Sequence, residues 1–283
     1  MARTIVPSEL LQSTNNNIKI GDTALDSVDT TSPDTAAENV AIGNAALTAN
    51  LFGNRNIAIG SNALDANTTA SFNIGIGHNA LTANSTGAEN VGIGQDALAA
   101  NTADDNTGVG FQALETNSTG AENTAFGHNA LQANTTASNN VAVGSGAADA
   151  NTTGAQNTAV GQGAFTTNTT GSHNTAIGRS ALYSATTADY NTAVGSGAMY
   201  ATTTGTQNVA VGRDALNDIT TGSYSVAVGY QALDAQTTAT NNTAVGWDAG
   251  SATTTGLLIR LLVKIQGLPI LRRLTMWQLA HFH

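Results

Sequence analysis

The residues of this chain with the most chemical potential are few and widely spaced. His78 and His128 each directly follow a Gly. Glu89, Asp104, Asp105 and Glu122 fall in polar, loop-like stretches. Six aromatic side chains, Tyr183, Tyr190, Tyr200, Tyr224, Tyr230 and Trp247, gather toward the C-terminal half. A metal centre needs three or four donors converging on one point, and the acidic residues lack the regular GGxGxD spacing of calcium rolls. No Ser/His/Asp set, carboxylate pair or phosphate loop stands out, and "GxG" arises freely in a chain with 30 Gly. With no Cys there is neither a disulfide framework nor a thiolate zinc site. The chain is therefore read as a non-enzyme without cofactor or metal. The six aromatics are its candidate surface-contact residues.

What must position these residues is a repeat. Three consecutive segments read NTAVGQGAFTTNTTGSH, NTAIGRSALYSATTADY and NTAVGSGAMYATTTGTQ. The Gly of each "A-h-G" falls at 43, 60, 77, 94, 110, 127, 144, 161, 178, 195, 212, 229 and 246, every interval being 17 except the 16 between Gly94 and Gly110. Thirteen registered units thus run from Asn39 to Gly256, with a degenerate one, NIKIGDTAL, at Asn17 to Leu25. Helical repeats need about 33–47 residues to hold two helices and their turns. Seventeen residues with Gly at position five suit one coil of a parallel β-solenoid instead.

Numbering each coil from its Asn, the strand N-h-A-h-G points positions two and four one way and position three the other. Positions two and four, mostly Val, Ile or Thr, are expected inside the coil, with the Leu of position nine completing that interior. The uniformly small position three (Ala41, Gly75, Gly92, Gly108, Ala142) would then face another wall of backbone. The Gly of position five implies positive φ or close backbone approach. Position one is Asn in twelve of thirteen units, Ser225 being the exception, and those amides should stack as a hydrogen-bonded ladder. At ~4.8 Å per coil, thirteen coils span about 60 Å, and His78 and His128 stand about 14 Å apart, too far to share a metal. The place after the turn Gly also holds Phe111, Gln162, Arg179, Arg213, Tyr230 and Trp247, so it is expected to face solvent. One Val or Ile, one Leu and two Ala make a thin core for seventeen ordered residues, and a homotrimer packed through the small positions is expected.

The N-[TV]-A-[VI]-G-x-x-A-L pattern over residues 39–256 resembles the head repeats of YadA-type trimeric autotransporter adhesins. That resemblance implies a left-handed parallel β-roll, three chains about a common axis, and a receptor-contacting fibre or adhesin touching a host-surface glycan or protein. This repeat is longer than that family's unit of about fourteen residues, so the N-T-T-G loop should bulge. The family's signal peptide and C-terminal membrane anchor are not found. Similar repeats occur in phage tail fibres, so the virion is the expected location, with the cell surface or extracellular space as the alternative. The charge agrees: all 19 acidic but only five of the nine basic residues precede Leu257, and so acidic a body repels nucleic acid. No run of 18 uncharged apolar residues suggests membrane insertion. An ice- or mineral-binding solenoid using stacked Thr is the competing function. Its natural sign, a flat T-x-T face, is not met by the adjacent Thr68-Thr69 and Thr135-Thr136.

Three regions follow: an N-terminal attachment or capping segment (1–38), the repeat body (39–256) and an atypical tail (257–283). The tail lacks Asn, Asp and Glu and carries Arg260, Lys264, Arg272 and Arg273. It reads as frameshifted repeat. Met276 and Trp277 have single codons, and one base earlier they force Val-Ala; allowed codon choices then give Asn-Asn-Val-Ala-Val-Gly up to 280. Ile259 to Val263 likewise restores Asn-Thr-Ala-Val-Gly, so the turn Gly would return at 263 and 280, on the beat set by Gly246. As written, Val263 and Ala280 would oppose the turn, Arg260 and Lys264 would fall on interior places, and Leu257 onward should not continue the coil. A basic amphipathic helix is the other reading, though Gly267 and Pro269 would break it.

Overall fold

The structure, a computed structural model, describes residues 16–27, 36–252 and 254–255, together with the backbone of 262–264. Residues 1–15 and 28–35 of the capping segment and most of the tail, including place 280, lie outside the described residues. The chain divides into two compact units, Met1–Gln156 and Asn157–His283. In the first, strands β1 (Ile18–Ile20), β2 (Val40–Ile42), β3 (Ile57–Ile59), β4 (Ile74–Ile76), β5 (Val91–Ile93), β6 (Thr107–Val109), β7 (Thr124–Phe126) and β8 (Val141–Val143) pair in chain order, each parallel to the next. In the second, β9 (Thr158–Val160), β10 (Thr175–Ile177), β11 (Thr192–Val194), β12 (Val209–Val211), β13 (Val226–Val228), β14 (Thr243–Gly246) and β15 (Leu262–Lys264) do the same. Each unit is an all-β parallel solenoid of 17-residue coils, without helix among the described residues, so none there could cross a membrane.

The beat sets the register. Within the regular coils each strand residue sits opposite its counterpart 17 places on, as Ala58 does opposite Gly75, whereas Ile18 of β1 pairs with Val40, 22 places on. Across the short interval Val91 still pairs with Thr107. The missing residue is taken from the loop: the Ala103 carbonyl accepts from Asn90 and Asn101 Nδ2, both at 2.8 Å, as the carbonyl of position fifteen does elsewhere.

The strand faces are the reverse of the expectation. Position three points into the coil: Ala41, Ala58, Ala125, Ala142, Ala159 and Ala193 have no exposed surface. Positions two and four point out, and Val141, Val143, Ile177, Val211 and Val245 are 37–40% exposed. The reason is room. A Cβ built on Gly75 lies 3.2 Å from both Leu64 Cγ and the Ala80 carbonyl oxygen, so a branched side chain does not fit between the strand and the opposite Ala-Leu wall. The small residue marks the crowded inside of one coil, not a contact between chains.

The rest of the interior is Ala at position eight, mostly Leu at nine (Phe165 and Met199 among the exceptions), and mostly Asn at one and twelve, all buried. Leu47, Leu64 and Leu131 hold φ of 52–53°, a left-handed geometry costing roughly 1–2 kcal/mol for a side-chain-bearing residue. It recurs because Leu must turn the corner and fill the core together. The turn Gly has φ between 130° and 140° throughout, and a Cβ on Gly127 would sit 2.6 Å from the Gly144 carbonyl oxygen. Only Gly serves there.

The tail departs from expectation in one respect. Leu262–Lys264 does add a strand, but Ala244 faces Leu262 and Gly246 faces Lys264, a step of 18. Val263 therefore lies opposite Val245 rather than at the turn, and Lys264 takes the turn's place. The backbone can continue the pairing by slipping one residue, because ladder bonds do not depend on side-chain identity.

Candidate surface-contact site

The solenoid sorts the six aromatics into three columns of the second unit. Tyr183 and Tyr200 occupy position ten of successive coils and stack with centroids 5.1 Å apart. Tyr230 and Trp247, at position six, stack at 6.2 Å, and the Arg213 guanidinium lies 5.2 Å from the Tyr230 ring on the coil before. Tyr190, at position seventeen, stacks on His173 at 4.7 Å. Tyr224 shares that column, between Gln207 and Asn241, and no ring stacks on it among the described residues. Tyr190 and Tyr224 are both 57% exposed and Trp247 54%.

Coil spacing decides what these rings can do. Rings on adjacent parallel coils stand face to face along the column, so they turn their edges to solvent. A sugar that stacks needs a free face, and Tyr224 offers more of one than the paired rings. Sequence reasoning did not pick His173 and Arg213 as partners. Counting by 17 from Tyr190 and Tyr230 finds both.

The place after the turn Gly is exposed at His78, His128, Arg179 and Arg213, and His128 stacks on Phe111 at 5.2 Å. Among the described residues no three His, Asp or Glu side chains converge. Asp104 accepts the Ala88 N–H at 2.7 Å, so part of its carboxylate serves the loop. Two carboxyls are displaced upward from their ordinary value of 3.8. Burial raises Asp149 more than the N–H groups of Ala150 and its own backbone lower it, and its Oδ1 is enclosed without a hydrogen-bond partner. Burial also raises Asp234, helped by the charges of Asp248 and Asp218 against the N–H of Ala235.

A second surface went unrecognised because its residues were assigned to the interior. Positions two and four of the registered coils are Val, Ile or Thr, with Phe126 the one aromatic, and none is charged. Edge positions and exposed strands ordinarily carry Lys or Glu as protection against association. Here each unit presents a regular aliphatic face, with Phe126 57% exposed.

The Asn ladder of position one forms. Asn56 N–H donates to Asn39 Oδ1 at 2.8 Å and Asn73 N–H to Asn56 Oδ1 at 2.9 Å, while Asn56 Nδ2 reaches across its own coil to the Ala70 carbonyl at 2.9 Å. A second column at position twelve was missed: Asn117 Nδ2 donates to Asn101 Oδ1 and Asn134 Nδ2 to Asn117 Oδ1, each at 2.8 Å. Its signal was the N of every N-T-T-G loop, read there as a bulge. The chain matches no protein-family model, no curated protein and no solved structure.

Proposed function

We propose that this chain is a structural fibre protein, a homotrimeric left-handed β-roll serving as the shaft or receptor-contacting head of a phage tail fibre or cell-surface adhesin. The observation that carries the reading is the uncharged Val/Ile/Thr face at positions two and four. Monomeric proteins rarely leave a contiguous apolar patch above a few hundred Å² in water, and copies of the same chain offer a matching face with the same coil spacing. The resemblance of the A-[VI]-G repeats to YadA-type heads supports the same reading and brings the left hand, the trimer and the virion or cell-surface setting with it. The exposed rings of Tyr190, Tyr224 and Trp247 supply contact points for a host glycan or protein.

The test separates association from folding. Val143→Lys puts charge on the outer face without touching the interior. Sedimentation equilibrium should give a trimer for the natural chain and a monomer for the variant, both with the same β-type circular dichroism. A folded, stable monomer from the natural chain sinks the proposal. Receptor contact is checked on a glycan array, where Tyr224→Ala should lose signal that the natural chain shows.

A second reading has an observation of its own. Strands β9 to β11 place Thr158-x-Val160, Thr175-x-Ile177 and Thr192-x-Val194 side by side on the outer face, a flat array of hydroxyls and methyls that suits ice or mineral binding. The adjacent loop Thr do not serve it: Thr135 Oγ1 is taken by the Thr152 carbonyl at 3.1 Å. Ice-recrystallisation inhibition lost in Thr175→Lys favours this reading; no inhibition by the natural chain removes it.

A further inference from the structure

The N-[ST]-T loop is also an acceptor sequence for N-linked glycosylation, N-x-[ST]. It occurs at Asn67, Asn84, Asn117, Asn134, Asn151 and Asn168, always at position twelve, and once elsewhere, at Asn241. Each of the six at position twelve is fully buried. Asn67 Nδ2 donates to Asn50 Oδ1 at 2.9 Å and to the Ala70 carbonyl at 3.1 Å. Asn134 Nδ2 donates to Asn117 Oδ1 and the Ala137 carbonyl, and Asn151 Nδ2 to Asn134 Oδ1 and the Gly154 carbonyl. The Thr that completes each sequence, such as Thr69 or Thr136, is exposed. Folding therefore leaves the recognition hydroxyl outside and draws the acceptor nitrogen inside.

We infer that the position-twelve Asn are N-glycosylation acceptors open only in the unfolded chain, and that a sugar on any of them blocks coil closure. In the transfer, Nδ2 attacks the anomeric carbon of a glycosyl diphosphate donor. The N–C bond forms, the C–O bond to the diphosphate breaks, the diphosphate leaves with its electron pair, and the amide proton passes to the transferase base. An N-linked sugar replaces one of the two Nδ2 hydrogens, so an Asn that donates twice, as Asn67, Asn134 and Asn151 do, loses at least one bond, and each of the six side chains is fully enclosed, so a ring on it has to displace its neighbours. Folding and modification exclude each other, and the chain matures only where folding is not outrun by such a transferase.

The test uses full-length chain carrying Asn241→Gln, a residue type already at that position in Gln156 and Gln207. It is incubated with a soluble N-glycosyltransferase and its nucleotide-sugar donor, either folded or with Gly127→Val and Gly144→Val to hold open the coils of Asn117, Asn134 and Asn151. Mass spectrometry should find no sugar on the six Asn of the folded chain and sugar on at least one of those three in the opened chain. Chain first unfolded in urea and then diluted into the same mixture should split into unmodified molecules with full β signal and modified ones without it. Sugar on a position-twelve Asn of the folded chain, sugar-free Asn in the opened chain, or a modified molecule with full β signal would each overturn the inference.

Discussion

At the scale of single residues, the interior is held by amides as much as by hydrocarbon, and its exceptions are informative. Ser225 replaces the Asn of position one and is too short to span the coil. In the same coil position twelve is Gln236, one methylene longer than Asn. Gln236 Nε2 donates to Ser225 Oγ at 3.0 Å and the Ala239 carbonyl at 2.9 Å, while its Oε1 accepts from Asn242 Nδ2 at 2.9 Å. Gln236→Asn should cost about 1–3 kcal/mol in urea unfolding, because buried polar groups lose partners. Adding Ser225→Asn should recover most of it by restoring the regular pair; strictly additive losses would refute the compensation. Asp149 gives a pH signature. Its carboxyl titrates higher in the folded chain than in the unfolded one, because burial disfavours the charge. The folded state binds the extra proton, so this group's contribution is fully present below 3.8 and is lost as pH rises through the folded value. Asp149→Asn should therefore raise the melting temperature at pH 7 and leave it nearly unchanged near pH 3. An equal shift at both pH values would mean packing, not charge, is responsible.

At the scale of the coil, turn and strand place opposite demands on size. Gly127→Ala adds one methyl directed at the Gly144 carbonyl of the next coil, at a φ of 140°. Neither backbone can move without breaking its own ladder bonds, so the loss should be on the order of 3–5 kcal/mol, at the severe end for a single substitution. Unfolding midpoints of the natural and substituted chains measure it. Ala159→Leu tests the inward direction of position three. Ala159 is fully enclosed, and the added volume should destabilise the fold itself by about 1–3 kcal/mol or more through overpacking. A variant that keeps its melting temperature but loses association would instead place Ala159 on an outer surface.

At the scale of the whole molecule, repeats contact mainly their neighbours, so stability is close to a sum of coil and interface terms. Removing the end of such an array should change the last coil most. A chain ending at Gly256 is expected to keep its β-type circular dichroism and melting temperature. It should lose amide-exchange protection along β14, which pairs with Leu262–Lys264 in the full chain. The same edge left open invites association through unpaired backbone groups, detectable by light scattering. Unfolding of the shortened chain would make the tail an essential cap.

Much of this was legible in the residues alone. A 17-place beat, Gly at position five and Asn at position one suffice for parallel coils, the turn and the amide ladder, because each depends on a backbone requirement that few residue types meet. The beat also put Tyr230 and Trp247 at one place of successive coils, the place after the turn Gly. What the periodicity of two could not decide was which side of a three-residue strand is inside. Val and Ile are the more apolar, yet the interior is only wide enough for Ala or Gly at position three, since Leu64 and the Ala80 carbonyl stand within contact of Gly75. Hydrophobicity pointed one way and volume the other. The width of the coil, a distance between segments far apart in the repeat, gave the interior to Ala41 and its counterparts and turned Val141 and Val143 toward water.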